Sequence, residues 1–264
     1  VDLHVANAAI YAYTGGKAFD PRLPALVFIH GGEQDHSAWT LQSRYLAHHG
    51  FAVLAVDLPG HGRSGGAPLP SIAAMADWVA ALLDAAKVKA AALIGHSMGS
   101  LVALDCAARH PERATRIALI STAFPMSVSP ELLEAASTRE PEALRMINAW
   151  SHAAYAHYPG NPGPGSWVIG GSLRLMQRQK PGVLHADFAA CDGYLPGLER
   201  AARVKCPALF LLGKLDAMTP ARSGRDLASA VPGSVLKILD GAGHNLMGEK
   251  PDEVLDALVE FLHA

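Results

Sequence analysis

The chain has 264 residues and a formal net charge of −2, with 50% of its residues hydrophobic and 17% charged. That balance excludes a disordered polyelectrolyte, and folding a chain of this size buries about 70% or more of its surface, enough for one large core. It also excludes a nucleic-acid binder that grips phosphates through clustered cations: the densest basic stretch, Arg174 to Lys180 with Arg178, is interrupted by Leu175 and Met176 and reads as a solvated helix face.

The opening residues, Val1-Asp2-Leu3-His4, show no basic segment leading into an apolar one, so no signal peptide is expected. Leu3 and Val5, then Ile10 and Ala12, alternate with more polar neighbours, which predicts an antiparallel edge hairpin. Apolar runs at 25–29, 51–56, 90–94 and 117–121 read as strands covered on both faces, because they are continuous rather than alternating. Between the second and third of these, Ile72, Met75, Ala76, Val79, Leu83 and Ala86 recur at helical spacing behind Ser71, a residue that caps helices. The same stretch carries Asp77 and Asp84, so it does not span a membrane. From 123 to 205 no strand pattern recurs. Helix-like stretches at 130–136, 141–155 and 172–180 flank a Pro/Gly-rich segment at 159–165, and the whole is too long for an ordinary crossover. Strands resume at 208–212 and 235–239. A last helix follows, with Val254, Ala257, Leu258, Phe261 and Leu262 on one face and Pro251 in its first turn. Strands alternating with helices predict an α/β fold with a mostly parallel sheet flanked by helices. The expected organisation is a core from residues 1–122 and 206–264 with a helical cap inserted at 123–205. Cys106, Cys191 and Cys206 are odd in number and lack metal-ligand spacing, which suits free thiols in a reducing, cytoplasmic compartment.

Gly95-His96-Ser97-Met98-Gly99 directly follows the third long strand and precedes an apolar helix. A serine on a tight strand-to-helix turn needs small neighbours two positions away on either side, and the turn lifts its hydroxyl above the sheet edge beside the helix N-terminus. A serine hydroxyl needs a base to act as a nucleophile. His244, in the loop after the last strand, can reach back over that edge, and Asp216, after the strand at 208–212, can hold its tautomer. Asp240 is the rival acid, but its place at a strand end suits turn capping. His96 reads as a packed residue of the turn, His61 as structural or cleft-lining, and His36 as a solvated loop histidine. Glu249 and Asp252 fit the start of the last helix, where negative charge meets the dipole favourably.

With these motifs, with His30-Gly31-Gly32 after an early strand, with Asp57-Leu58-Pro59-Gly60-His61-Gly62-Arg63-Ser64 and with Thr219-Pro220 beside Asp216, the chain resembles the α/β-hydrolase superfamily, in its capped serine esterase or lipase-like branch. The resemblance covers the sheet domain and is only generic over the cap. It implies a triad of Ser97, His244 and Asp216, with an oxyanion hole from the Gly32 and Met98 amides. It further implies a carboxylesterase-like serine hydrolase that forms an acyl-enzyme from small or medium apolar esters and needs no cofactor or metal ion. Trp39, Phe124, Trp150 and Trp167 are candidate substrate contacts. The expected partner is a small-molecule ester, with no nucleic acid and no membrane. The same residue set serves C–C bond hydrolysis, perhydrolysis and hydroxynitrile cleavage among such relatives, and a non-catalytic ligand-binding protein on this fold is an alternative of another class. Haloalkane dehalogenases and epoxide hydrolases carry Asp where this chain has Ser97, so those activities are disfavoured.

Overall fold

The computed structural model describes residues 1–157 and 167–264. The Pro/Gly-rich segment therefore lies outside the described residues. Strands β1 (Asp2–Val5) and β2 (Ala8–Tyr13) form the expected hairpin, turning through Ala6 and Asn7 at positive φ. In chain order there follow β3 (Ala25–Ile29), α1 (Thr40–His48), β4 (Ala52–Val56), α2 (Ile72–Ala85), β5 (Ala91–His96), α3 (Met98–Arg109) and β6 (Ala114–Ile120). A helical insert comes next: α4 (Pro130–Thr138), α5 (Glu140–Trp150), α6 (Val168–Met176), α7 (Val183–Asp192) and α8 (Gly197–Ala202). The chain then re-enters the sheet as β7 (Ala208–Gly213), crosses through α9 (Ala221–Ser229) to β8 (Val235–Leu239), and ends in α10 (Leu246–Glu249) and α11 (Pro251–His263).

The 8-stranded sheet runs β1-β2-β4-β3-β5-β6-β7-β8, with β2 antiparallel to both of its neighbours, β1 and β4, and every other pairing parallel. The apolar runs of β3 to β7 are continuous because each of these strands feeds two cores. Val27 and Ile29 of β3 pack with Met75, Val79 and Leu82 of α2 and Leu101 of α3. Leu26 and Phe28 face the other way, towards Leu46 of α1 and Val254, Leu258 and Phe261 of α11. Each such side chain contributes roughly 1.5–3 kcal/mol relative to exposure. Ser71 caps α2 by accepting the Ala74 amide, and replacing such a cap by alanine costs about 1 kcal/mol.

One strand departs from the expectation of two covered faces. β8 stands at the end of the sheet, with no further partner strand among the described residues, and its Val235 and Leu236 are 47% and 38% exposed. The insert has an apolar cluster of its own, joining Leu132 and Ala135 of α4, Leu144 and Ile147 of α5, Met176 of α6 and Leu184 of α7. Among the described residues no helix is long and apolar enough to cross a membrane, and all three cysteines are free thiols.

Strand order sets the site's place. β4 lies on one side of β3 and β5 on the other, so the connections leaving β3 and β5 diverge and open a crevice at the carboxyl ends of the strands, where ligands bind in open α/β sheets. The loops after β3, β5, β7 and β8 all emerge at that rim.

Candidate active site

Ser97 stands between β5 and α3 at φ +52 and ψ −119, a conformation that costs a non-glycine residue energy and persists only where its surroundings enforce it. The enforcement is visible on both sides. A Cβ on Gly95 would lie 2.1 Å from the Gly99 carbonyl oxygen, and a Cβ on Gly99 would lie 2.4 Å from that of Ile29. Only glycine fits at either position, which is why the pentapeptide has small residues there. Met98 opens α3, and the first amides of a helix have no intrahelical acceptor.

Asp216 leaves β7 in a loop that wraps its own carboxylate. Oδ1 accepts the amides of Met218 at 2.9 Å and Thr219 at 2.7 Å, and Oδ2 accepts the Thr219 hydroxyl at 2.7 Å and His244 Nδ1–H at 2.9 Å. Burial pushes the Asp216 carboxyl up, but the charge and hydrogen bond of His244, with the bonds from Thr219, outweigh it and hold the group below its ordinary value. His244 thus has its Nδ1 committed to the carboxylate, which leaves Nε2 as the free lone pair.

The His244 backbone is pinned as firmly as its ring. Its amide and that of Asn245 donate to the Ser151 carbonyl at 3.0 and 2.9 Å, so the insert carries part of this loop. Its carbonyl accepts Ser121 Oγ–H at 2.7 Å and His96 Nε2–H at 3.0 Å. His96 is buried, and burial together with the His244 charge lowers it to about 3, so it stays a neutral donor. Glu249, placed by the sequence at the start of the last helix, instead ends α10 as a buried acceptor for the amides of Gly243 at 3.1 Å and Ala153 at 2.9 Å. It ties the histidine loop to the insert, and burial raises its carboxyl. Asp252 does stand in the first turn of α11.

Ser97 and His244 line one small cavity of about 40 Å³, together with Gly31, Gly32, Gln34 and His96 of the core, Ile147, Ser151, Ser172, Met176 and Phe188 of the insert, and Met218 and Asn245. Gln34, Ser172 and Asn245 also line a second, larger groove of about 350 Å³, whose walls include Trp167, Val168, Leu175 and Met247 beside Arg174 and Arg178. The two spaces adjoin.

The aromatic candidates separate. Trp167 is 75% exposed and lines the larger groove. Trp39 does not line the site: the short 3-10 turn His36–Trp39 directs it into the core, fully buried, with its ring 5.2 Å from that of Phe28. Phe124 also turns away, edge-on to Tyr194 at 6.2 Å and against Gly197, and Trp150 is 42% exposed and lines neither space. His36 is not a solvated histidine but half-buried, with Nδ1 2.7 Å from Asp57 Oδ1 and its ring against Tyr11. With Asp35 and Asp57 it forms a tight trio of potential metal ligands. Protein donors already occupy those carboxylates: Arg178, Gln179 and Ser37 at Asp35, and the His36 and Arg63 amides at Asp57. Asp240 is exposed and pairs with Lys214 at 2.7 Å, far from the acid's role considered for it. The stretch around Arg174 is only partly a solvated face, since α6 ends at Met176, Arg178 pairs with Asp35 and Gln179 is buried.

The sequence reading assigned no part to Thr219, although a Thr three residues after an Asp is a known local hydrogen-bonding pattern. Ser121 and Asp187 were not foreseen either, since they reach the site only through tertiary contacts.

Residues 26–257 match the family described as the Alpha/beta hydrolase family. The chain is 31% identical over 247 residues to a pimeloyl-acyl-carrier-protein methyl ester esterase of Chromobacterium violaceum, covering 90% of this chain and 94% of the relative. Among solved structures it is similar to an enol-lactonase from Burkholderia xenovorans LB400, at 25% identity and TM-score 0.86 over 100% of both chains. An esterase from Thermogutta terrifontis shares the fold at TM-score 0.84 and 23% identity, over 100% of this chain and 97% of that one. By family match, sheet topology and the strand-to-helix serine turn alike, the chain belongs to the alpha/beta hydrolase family, among relatives that are hydrolases of the esterase type.

Proposed function

We propose that the chain is a serine hydrolase of carboxylic esters, with Ser97 as nucleophile, His244 as general base and acid, and Asp216 as the group that orients His244. The observation that carries this reading is the 2.9 Å bond from His244 Nδ1 to Asp216 Oδ2, which leaves Nε2 free on a cavity that Ser97 also lines. In the first half-reaction Ser97 Oγ bonds to the ester carbonyl carbon as its proton passes to His244 Nε2. The Gly32 and Met98 amides donate to the developing oxyanion, and a donor of this kind is worth about 10²–10³ in rate. The carbon–oxygen bond of the ester then breaks, and the imidazolium returns the proton to the leaving alkoxide. In the second half a water gives its proton to His244 and attacks the acyl carbon. Ser97 leaves and recovers a proton from His244.

Space supports a division of the substrate. The space beside Ser97, about 40 Å³, is far smaller than the adjoining groove of about 350 Å³, so the smaller group of the ester fits there in this arrangement. The longer arm would pass between Gln34, Ser172 and Asn245 into the groove lined by Trp167 and Leu175. Residues 123–205 act in this reading as a cap over a core of residues 1–122 and 206–264, a role supported by the insert's own apolar cluster and by its contribution of Ile147, Met176 and Phe188 to the catalytic cavity.

Hydrolysis of p-nitrophenyl esters from acetate to octanoate, for the parent and for Ser97→Ala, tests the reading. The variant is expected to lose about a thousandfold or more in kcat with an unchanged thermal unfolding midpoint. Parental rates in the variant would refute the nucleophile.

A further inference from the structure

Successive peptide planes of the loop after β3 are each anchored by a hydrogen bond. The Gly31 carbonyl lies in the same peptide plane as the Gly32 amide, and it accepts His30 Nδ1–H at 2.8 Å while His30 Nε2 accepts the Leu58 amide at 3.1 Å. The preceding plane is held by Gln34 Oε1, which accepts the Gly31 amide at 3.1 Å. The following plane is held from outside the core. The Glu33 amide, on a residue at φ +56, donates at 2.8 Å to Asp187 Oδ2 of α7, 154 positions away in the chain. Gly32 itself faces that helix: a Cβ there would lie 3.3 Å from the Phe188 ring and 3.5 Å from Asp187 Cβ.

Asp187 is in turn held by a charge. Its Oδ2 lies 2.8 Å from His61 Nε2, with both side chains fully buried, and His61 Nδ1 lies 3.0 Å from the Pro59 carbonyl. Both His61 nitrogens therefore face acceptors, which calls for a proton on each and makes the pair a buried imidazolium–carboxylate bridge. Burial alone would lower His61, but the charge and hydrogen bond of Asp187 outweigh it and raise the group.

We infer that Asp187 is a positioning residue for the oxyanion hole: anchored by His61, it clamps the Glu33 amide and so fixes, from the insert, the aim of the neighbouring Gly32 amide. The inference rests on the serine-hydrolase reading, since it assigns Gly32 its part. Its consequence is that the hole is complete only while α7 is seated on the loop, so seating the insert and stabilising the transition state are one event. A 1 Å misplacement of such a donor is enough to cost about a hundredfold in rate.

The test combines kcat and KM, normalised to phosphonate-titratable Ser97, with the inhibition constant of a trifluoromethyl ketone, whose adduct with the serine carries the oxyanion. In Asp187→Ala, kcat per titrated site is expected to fall about 10- to 100-fold with KM within about threefold, and the ketone is expected to weaken by the same factor as kcat falls. Asp187→Asn keeps an acceptor for the Glu33 amide but loses the charge that His61 needs, and it is expected to fall between. It also serves if the alanine variant does not fold. Phe188→Leu, on the same helix and in the same cavity but without the clamp, is expected to change KM more than kcat. A folded Asp187 variant with parental kcat per titrated site and parental ketone affinity overturns the positioning role. If Ser97→Ala is inactive in the same assays, the hydrolase reading survives that failure; if it is active, both fall.

Discussion

Two buried carboxyl groups at the rim of the sheet are treated in opposite ways. Asp216 follows β7 and receives four hydrogen bonds, two from amides, one from a hydroxyl and one from an imidazole, and these hold it ionised below its ordinary value. Glu33 follows β3, is also fully buried, and has no hydrogen-bond partner for either carboxyl oxygen among the described residues. Burial, together with the charges of Asp187 and Glu140, pushes it up to about 9. The difference teaches that burial does not itself make an anion; the donors the loop supplies decide. One side of the crevice carries a fixed negative charge that can stabilise an imidazolium. The other keeps its acid neutral, so that Asp187, paired with His61, is the carboxylate that meets the loop around Gly32.

The comparison can be broken at either carboxyl. The largest effect is expected for Asp216→Asn, which keeps the side chain's shape while removing its charge and inviting the wrong His244 tautomer. A loss in kcat of about 10³- to 10⁴-fold is expected, against a near-parental rate for Asp240→Asn, whose carboxylate is exposed and paired with Lys214. Ester hydrolysis by the two variants side by side reverses the assignment if the losses are exchanged.

Glu33→Gln sharpens the other half through stability. In the folded protein Glu33 keeps its proton to about pH 9, whereas a carboxyl at its ordinary value of 4.5 loses it well before. The unfolded state therefore binds fewer protons between those limits, and the parent's stability falls as pH rises through them. Glutamine does not titrate. The variant's unfolding midpoint is thus expected to gain on the parent's steadily from pH 5 to pH 9, whatever constant offset its buried amide introduces. The contribution of His61 is also lost as pH rises through its raised value, but it is common to both proteins and drops out of the difference. A difference that is flat with pH would mean that Glu33 is ionised or exposed.

The smallest effect is expected at the groove. Trp167→Ala removes an exposed apolar wall, so KM for octanoate esters should rise several-fold while acetate esters are unaffected. Equal changes for both chain lengths would remove the longer arm from this groove.

Legibility in the sequence followed the range of the interactions. The strands at 25–29 and 235–239 and the cap of α2 at Ser71 depend on neighbouring residues, and the pattern and the structure agree on them. The proposed triad of Ser97, Asp216 and His244 was assembled for a related reason: each residue sits just beyond a strand, so placing the strands placed all three at one rim. Trp39 was misplaced because its direction is set by a short turn that delivers it onto Phe28 rather than by any periodicity. Helix α7 went unrecognised because it starts after Gly182 at φ +86 and its apolar residues serve several neighbours at once, with Leu184 in the insert's cluster and Ala190 and Cys191 in the main core. Asp187 could not have been found locally, since its partners Glu33 and His61 lie 154 and 126 positions away.

The central claim, that Ser97 carries an activated hydroxyl, is tested most directly by treating the protein with a fluorophosphonate and locating the adduct by peptide mass spectrometry. One adduct, on Ser97, is expected in the parent, and in His244→Ala it should form far more slowly because no base remains to take the proton. Labelling that falls on another residue, or that proceeds on Ser97 at the same rate without His244, would contradict the account.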